Sequence, residues 1–368
     1  MSPRLKSKSA SSFIIVLFLA FSVPLASAAN AQQYYYRSTY TYVNSGDEPY
    51  FLTEDDVSII LFPENRWQKV SIRNESHAIK EMYLDEDGNL IGVLDAPLVL
   101  PIDSTLAFSV EYDISSQVKP KPDVDPAEAG NFSDIPPVLV EIFCVDSDTF
   151  TLDEEIESLA RELSRDRETV LEVLTRFIDW ILDNVTYGNF EVPKYPLETL
   201  DERRGDCDDQ SILLISMLRS VGIPAYLQLG VVFSDSIGSE KTSWGGHLTA
   251  KQEGIAWHGW SMVYVPPWGW IPVDLTLTGV SDPMNLILTA PEYGSYVVTA
   301  LNVTKQPYIS DSRKAREALM SSEVYVTVEE KVLQRADQWW TRYLYVGVGL
   351  LAGGVAVAFI IFYNRNRE

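Results

Sequence analysis

Residues 204–225 read Arg204-Gly205-Asp206-Cys207-Asp208-Asp209-Gln210-Ser211-Ile212-Leu213-Leu214-Ile215-Ser216-Met217-Leu218-Arg219-Ser220-Val221-Gly222-Ile223-Pro224-Ala225. From 209 to about 221 the apolar positions Leu213, Leu214, Met217, Leu218 and Val221 recur at helical spacing. Gly222 and Pro224 end the run. Cys207 therefore sits at a helix start. Unpaired N–H groups and the positive end of the helix dipole favour a thiolate there, and the same amides are placed to hold an oxyanion. Asp206, Asp208 and Asp209 act the other way and raise the thiol, so a nucleophile at this position needs a base.

Two downstream stretches supply partners. In Trp257-His258-Gly259-Trp260-Ser261-Met262-Val263-Tyr264 a strand would place His258, Trp260, Met262 and Tyr264 on one face. A histidine at a strand start can reach a cysteine at a helix start and serve as its general base. His247 is the rival base, but Gly245 and Gly246 make its surroundings less suited to a fixed catalytic role; His77 belongs to the β-rich part of the chain. In Trp268-Gly269-Trp270-Ile271-Pro272-Val273-Asp274 a further strand follows a turn at 266–269, and Asp274 closes it. An aspartate there can accept from the imidazole and fix its tautomer, giving a triad in the order Cys, His, Asp. Taken singly, such an aspartate is usually just a turn or cap residue.

Working outward, helical periodicity starts near Leu152, with Ile156, Leu159, Ala160 and Leu163 on one face. A second helix carries Val170, Val173, Leu174, Phe177, Ile178 and Ile181. Strands are expected at 225–233, 259–265 and 270–273. Helices followed by a run of strands predict an α+β domain over 150–295. Residues 33–145 look β-rich: Tyr36, Tyr40 and Tyr42 share a face, 57–62 is an apolar run, Asp85-Glu86-Asp87-Gly88-Asn89 is a turn, and 98–100 and 106–112 have strand spacing. This pattern predicts a β-sandwich-like domain. A Pro- and Asp-rich loop covers 119–137. Beyond 296 a strand is expected at 324–327. Thr327 and Glu330 have capping-box spacing, so a helix is expected to start there and continue through Trp339.

Together these motifs resemble the transglutaminase-like superfamily, a papain-related group with Cys, His and Asp in that order. Gly205-Asp206-Cys207 with the helix behind it, His258-Gly259-Trp260 and Gly269-Trp270-Ile271-Pro272-Val273-Asp274 carry the likeness. Trp180-Ile181-Leu182-Asp183-Asn184-Val185-Thr186-Tyr187 is similar to the family's helix end before the active-site region. The resemblance covers about 150–280. It implies a papain-like core preceded by the β-sandwich-like domain, with Cys207 as nucleophile, His258 as base and Asp274 as orienting group. It implies no required cofactor. The Asp206, Asp208 and Asp209 run also resembles that of bacterial transglutaminase-like cysteine peptidases in which adjacent acids bind calcium, although the His258 region is closer to the general transglutaminase core. The plainer reading of these acids is that they complement the helix dipole, with a calcium site as the alternative.

The ends of the 368-residue chain suggest where such a domain works. Residues 1–12 carry Arg4, Lys6 and Lys8, 13–20 is apolar, and Leu25-Ala26-Ser27-Ala28-Ala29 offers a small-residue cleavage site, so 1–28 reads as a secretory signal. An uncleaved anchor is the alternative, but the apolar run is short for a span of ~20 residues. Residues 343–363 hold no charge and are long enough to cross a bilayer, with aromatic residues at both borders. Residues 296–342 then read as a juxtamembrane segment with a helix, and 364–368 as a cytoplasmic tail with Arg365 and Arg367. Setting aside the targeting ends leaves 24 basic and 51 acidic residues, a net charge near −27, which disfavours nucleic acid and anionic lipid. Cys144 and Cys207 are the two cysteines, and a disulfide between them would cap the nucleophile. Asn74, Asn131, Asn184 and Asn302 begin sequons compatible with surface glycosylation.

Two readings follow. One is an extracytoplasmic, single-pass membrane-anchored thiol enzyme acting on amide bonds of proteins or peptides in the cell envelope: a peptidase, amidase or acyltransferase working through a Cys207 thioester. The other is a catalytically silent envelope-binding module on the same fold, against which the complete triad argues.

Overall fold

The computed structural model describes residues 31–277 and 279–333. The N-terminal strands are β1 (Gln32–Asn44), β2 (Tyr50–Phe51), β3 (Ser58–Leu61), β4 (Gln68–Glu75), β5 (Ile79–Leu84), β6 (Leu90–Leu94), β7 (Val99–Leu100) and β8 (Ser104–Ser116). Then come α1 (Pro137–Phe143), α2 (Glu154–Ser164), α3 (Val170–Asn184), β9 (Thr186–Tyr187), α4 (Pro196–Glu202), β10 (Arg204–Gly205) and α5 (Cys207–Ser220). The chain continues through β11 (Ala225–Ser243), β12 (Leu248–Val265), β13 (Gly269–Val273), α6 (Pro283–Leu288), β14 (Val297–Val303), α7 (Tyr308–Met320) and β15 (Val324–Val332).

One mixed sheet, in the order β14-β11-β12-β15-β1-β8-β4 with β13 also on β12, organises the fold. Its continuity differs from the expected boundary between a β domain at 33–145 and a second domain at 150–295, because β1, β8 and β4 share hydrogen bonds with the later strands through β15. Two apolar cores form. In one, α2, α3 and α5 pack with β11–β13: Ile156, Leu174, Phe177, Leu214, Leu218, Leu227 and Val263 are all fully buried. In the other, the three-stranded sheet β3-β6-β5 lends Ile59, Leu61, Val93 and Leu94 to Tyr36, Phe108, Tyr112 and Ile114 of the large sheet. That is sandwich-like layering, but one layer belongs to the common sheet. The stretch counted as β-rich also ends in a helix, α1, begun by Pro136 and Pro137.

Over 327–332 the expected helix is instead strand β15, and its expected continuation through Trp339 lies outside the described residues. Val324, Val326 and Glu330 point inward while Tyr325 and Glu329 are exposed, a period of two that overrides the capping-box spacing. Glu330 is buried and accepts from Tyr36 Oη at 2.8 Å and Trp257 Nε1 at 2.7 Å. β15 pairs with β1 on one side and in parallel with β12 on the other, so 297–332 belongs to the same fold. The expected signal at 1–28, span at 343–363 and tail at 364–368 lie outside the described residues. Among the described residues no helix is long and apolar enough to cross a membrane.

Candidate active site

α5 positions Cys207 as its first residue, behind the cap residue Asp206. Two local bonds fix the entry: Asp209 Oδ2 accepts from the Asp206 N–H at 3.2 Å, and Gln210 Nε2 donates to the Gly205 carbonyl at 2.9 Å. The helix starts two residues earlier than its apolar period indicated, because its first turn is polar. Its body is buried throughout, so the cysteine sits on a rigid element.

β12 and β13 position the other two residues. Their antiparallel pairing, Ser261 opposite Val273, brings the end of β13 back beside His258. His258 Nε2 lies 2.8 Å from Asp274 Oδ2, and both residues are buried. Asp274 Oδ1 accepts from the Thr276 and Leu277 amides at 2.9 and 3.0 Å. Burial pushes the Asp274 carboxyl up, but the His258 hydrogen bond and charge, with those two amides, hold it below the usual carboxylate range. Trp260, two residues along the same face, stacks on the imidazole with ring centroids 5.9 Å apart.

Cys207 meets this strand through the residue after the histidine. The Gly259 and Asp208 backbone amides both favour the thiolate, yet the thiol remains pushed up, first by burial and then by the Asp208 charge. The opposing pulls anticipated from the helix start and its acids are both present. Cys144 and Cys207 are free thiols. Burial pushes the Cys144 thiol up to about 11, opposed by the Arg219 guanidinium. The rival base His247 is tied to β15 instead, its Nδ1 2.8 Å from the Val324 carbonyl oxygen and its ring stacked on Tyr325.

The acids around Cys207 are drawn together. Asp206, Asp208 and Asp209 each place a carboxylate oxygen within 4.8 Å of the others. Asp209 Oδ1 accepts from the Lys194 amide at 2.7 Å, and Asp208 Oδ2 accepts from Tyr308 Oη at 2.8 Å. Asp206 Oδ1 is buried with no hydrogen-bond partner. Burial and then the Asp208 contact push Asp206 up to about 10, and burial and the Asp208 charge push Asp209 up to about 6. Three crowded carboxylates with one orphaned oxygen fit a hard, oxygen-seeking cation such as Ca²⁺.

Two residues of this neighbourhood carried no signal in the sequence. Tyr308, at the start of α7, reaches Asp208 from 100 residues away. Glu292, in a short turn before β14, is 2% exposed, and its carboxyl lies within 4.8 Å of both His258 and Asp274. In sequence it is one acid among 52, and only its burial distinguishes it.

Comparison with known proteins bears on the same segment. The profile of the family described as the transglutaminase-like superfamily matches residues 157–275. Over 141 residues the chain is 28% identical to the uncharacterized protein YebA of Bacillus subtilis (strain 168), covering 36% of this chain and 19% of YebA, so the chain spans about a fifth of that relative. A solved structure from Cytophaga hutchinsonii, provisionally designated a cysteine protease, is 17% identical at a TM-score of 0.48, covering 83% of this chain and 92% of that one. Legionella pneumophila LapG is 17% identical at a TM-score of 0.24, covering 46% of this chain and 96% of its own. Cys207, His258 and Asp274 all fall inside the family match, and residues 157–275 of this chain are a transglutaminase-like domain.

Proposed function

We propose that the chain is a thiol enzyme acting on amide bonds of proteins or peptides, with Cys207 as nucleophile, His258 as base and Asp274 as orienting group. One observation carries this reading: the buried 2.8 Å His258–Asp274 contact on the strand whose next amide, Gly259, faces the Cys207 sulfur. The raised thiol assigns His258 an active part. Cys207 rests as the thiol, and His258 removes its proton as the sulfur attacks the amide carbonyl. His258, now imidazolium and held by Asp274, gives that proton to the departing amine. A thioester on Cys207 remains, and water or an acceptor amine resolves it, returning the thiol. Amides at the start of α5 are placed to stabilise the oxyanion.

A calcium ion held by Asp206, Asp208 and Asp209 would supply positive charge beside the thiol. The basic and apolar pattern of 1–28 and the uncharged run at 343–363 support an exported chain tethered by one span, with its catalytic part outside the cell membrane. The sandwich-like layers ahead of the core then face the cell envelope, where protein or peptide substrates lie, and the acidic surface argues against nucleic acid.

The test is alkylation. Iodoacetamide should label Cys207 in the wild type, and Cys207→Ala should lose that label. His258→Ala should slow labelling by about a hundredfold, the low side of a general base's contribution. Equal inertness of Cys207 in the wild type and in His258→Ala would leave the silent binding module as the reading.

A further inference from the structure

Glu292 is a buried carboxyl whose oxygens meet no hydrogen-bond donor from another residue, only the pull of its own backbone amide. It lies in the turn Pro291–Tyr293, just ahead of β14, and closes a cluster with His258 and Asp274 in which one ligand atom from each lies within 4.8 Å of the others. The charged and titratable groups around it are Asp274 and His258 from the β12–β13 side, Lys119 after β8, and its neighbours Tyr293 and Tyr296. Two carboxylates this close in a dry interior cannot both be ionised. Asp274 has three donors, from His258, Thr276 and Leu277, and is the one suited to carry the charge. Glu292 draws only on its own backbone amide, so the proton belongs to it. Burial, then the Asp274 charge, hold its carboxyl well above the usual range; Lys119 opposes this only weakly, its own ammonium being lowered by burial.

We propose that Glu292 is a positioning residue of the triad, a neutral carboxylic acid that donates its O–H to Asp274 and so holds Asp274 against His258. A protonated acid leaves Asp274 as the single negative charge behind the imidazole. It also gives the otherwise orphaned Glu292 a partner. The inference rests on the role assigned to His258 above, but its test does not depend on Cys207 being reactive.

The chain has three histidines, His77, His247 and His258, so an NMR pH titration of the histidine-labelled full chain resolves each ring. Glu292→Gln keeps a neutral donor of the same shape, and the His258 midpoint should stay within about 0.3 pH unit of the wild type. Glu292→Leu removes the donor, makes Asp274 the stronger acceptor, and should raise the midpoint by roughly 0.5–1 unit, the direction expected for imidazolium beside a stronger anion. A lowered midpoint in Glu292→Gln would show that Glu292 is ionised in the wild type and overturn the proposal. So would a wild-type midpoint in a Glu292→Leu chain whose unchanged melting curve shows it folded. If Glu292→Leu does not fold, the Glu292→Gln result alone decides. An inert Cys207 with these His258 shifts intact would separate failure of the enzyme reading from failure of this one.

Discussion

Gly259 packs directly on Asp208: a Cβ at 259 would lie 3.2 Å from Asp208 Cβ and 2.9 Å from Leu229 Cδ2. This contact is what lets the Gly259 amide face the sulfur of Cys207. The Leu229 methyl can swing aside, but the Asp208 Cβ is fixed to the first turn of α5. Gly259→Ala should therefore push β12 off the helix start and cost about 1–3 kcal/mol, the usual range for overpacking. Alkylation of Cys207 should fall while the chain still melts cooperatively, which paired iodoacetamide labelling and thermal melts would reveal. Unchanged labelling would mean that the sulfur does not depend on this approach.

A second glycine supports the site from beneath. A Cβ at Gly230 would sit 2.4 Å from the Val298 carbonyl oxygen and 2.7 Å from the edge of Trp260, the ring that stacks on His258. Neither neighbour can yield, since one is backbone and the other a fully buried indole. Gly230→Ala should cost about 3 kcal/mol, the upper part of the overpacking range. Gly238, on the same strand, faces open space, so Gly238→Ala should stay within about 0.5 kcal/mol of the wild type. Urea unfolding of the two variants makes the comparison, and equal losses would contradict it.

The parts of this fold that were legible in the sequence are those governed by local pattern. Helices α2, α3 and α5 follow from apolar residues at helical spacing, and the order of Cys207, His258 and Asp274 follows from three short motifs. The link between the first strands and the core was not legible, because it runs through β15, which pairs with β1 from Asn44–Val324 to Tyr36–Val332 across almost the whole described chain and whose alternation was masked by a Thr327–Glu330 capping pattern. Helix α7 was missed because its sequence is largely polar and it buries only Ile309. Glu292 and Tyr308 were invisible for a related reason: their chemistry comes from what distant segments place beside them.

Asp274 and Glu292 should give stability opposite dependences on pH. Asp274 is held below its ordinary value of 3.8, so its contribution is present above that value and is lost as pH falls through the lower folded one. The stability gap between the wild type and Asp274→Asn should therefore narrow in acid. Glu292 is held above its ordinary 4.5, so its contribution is present below about that pH and is lost as pH rises toward the folded value. Glu292→Gln cannot lose a proton, and its stability relative to the wild type should climb from about pH 4.5, by at most about 1.4 kcal/mol per unit. Denaturant unfolding at pH 2.5, 4, 5.5 and 7 reads both trends, the Asp274 one between the two lowest values; a flat Glu292→Gln difference would mean an ionised Glu292.

The acids beside Cys207 make a further pH-linked prediction. With Asp206 pushed up to about 10 and Asp209 to about 6, their contribution is present below the usual carboxylate range and is lost as pH rises through those values. A bound cation reverses this by replacing the retained proton with fixed positive charge. Calcium should thus raise the melting temperature more at pH 8 than at pH 5.5, with proton release on binding. At a hundredfold excess over its dissociation constant the gain should be about 2.7 kcal/mol. Asp206→Asn removes the carboxyl whose Oδ1 is orphaned. It should stabilise the calcium-free chain by about 1 kcal/mol, relieving like-charge crowding, and should abolish most of the calcium response. Melts in EGTA and in calcium, with magnesium as the control for a non-specific divalent effect, test this. An equal calcium shift in Asp206→Asn would place the ion elsewhere and leave the three aspartates as partners of the helix dipole and of Tyr308.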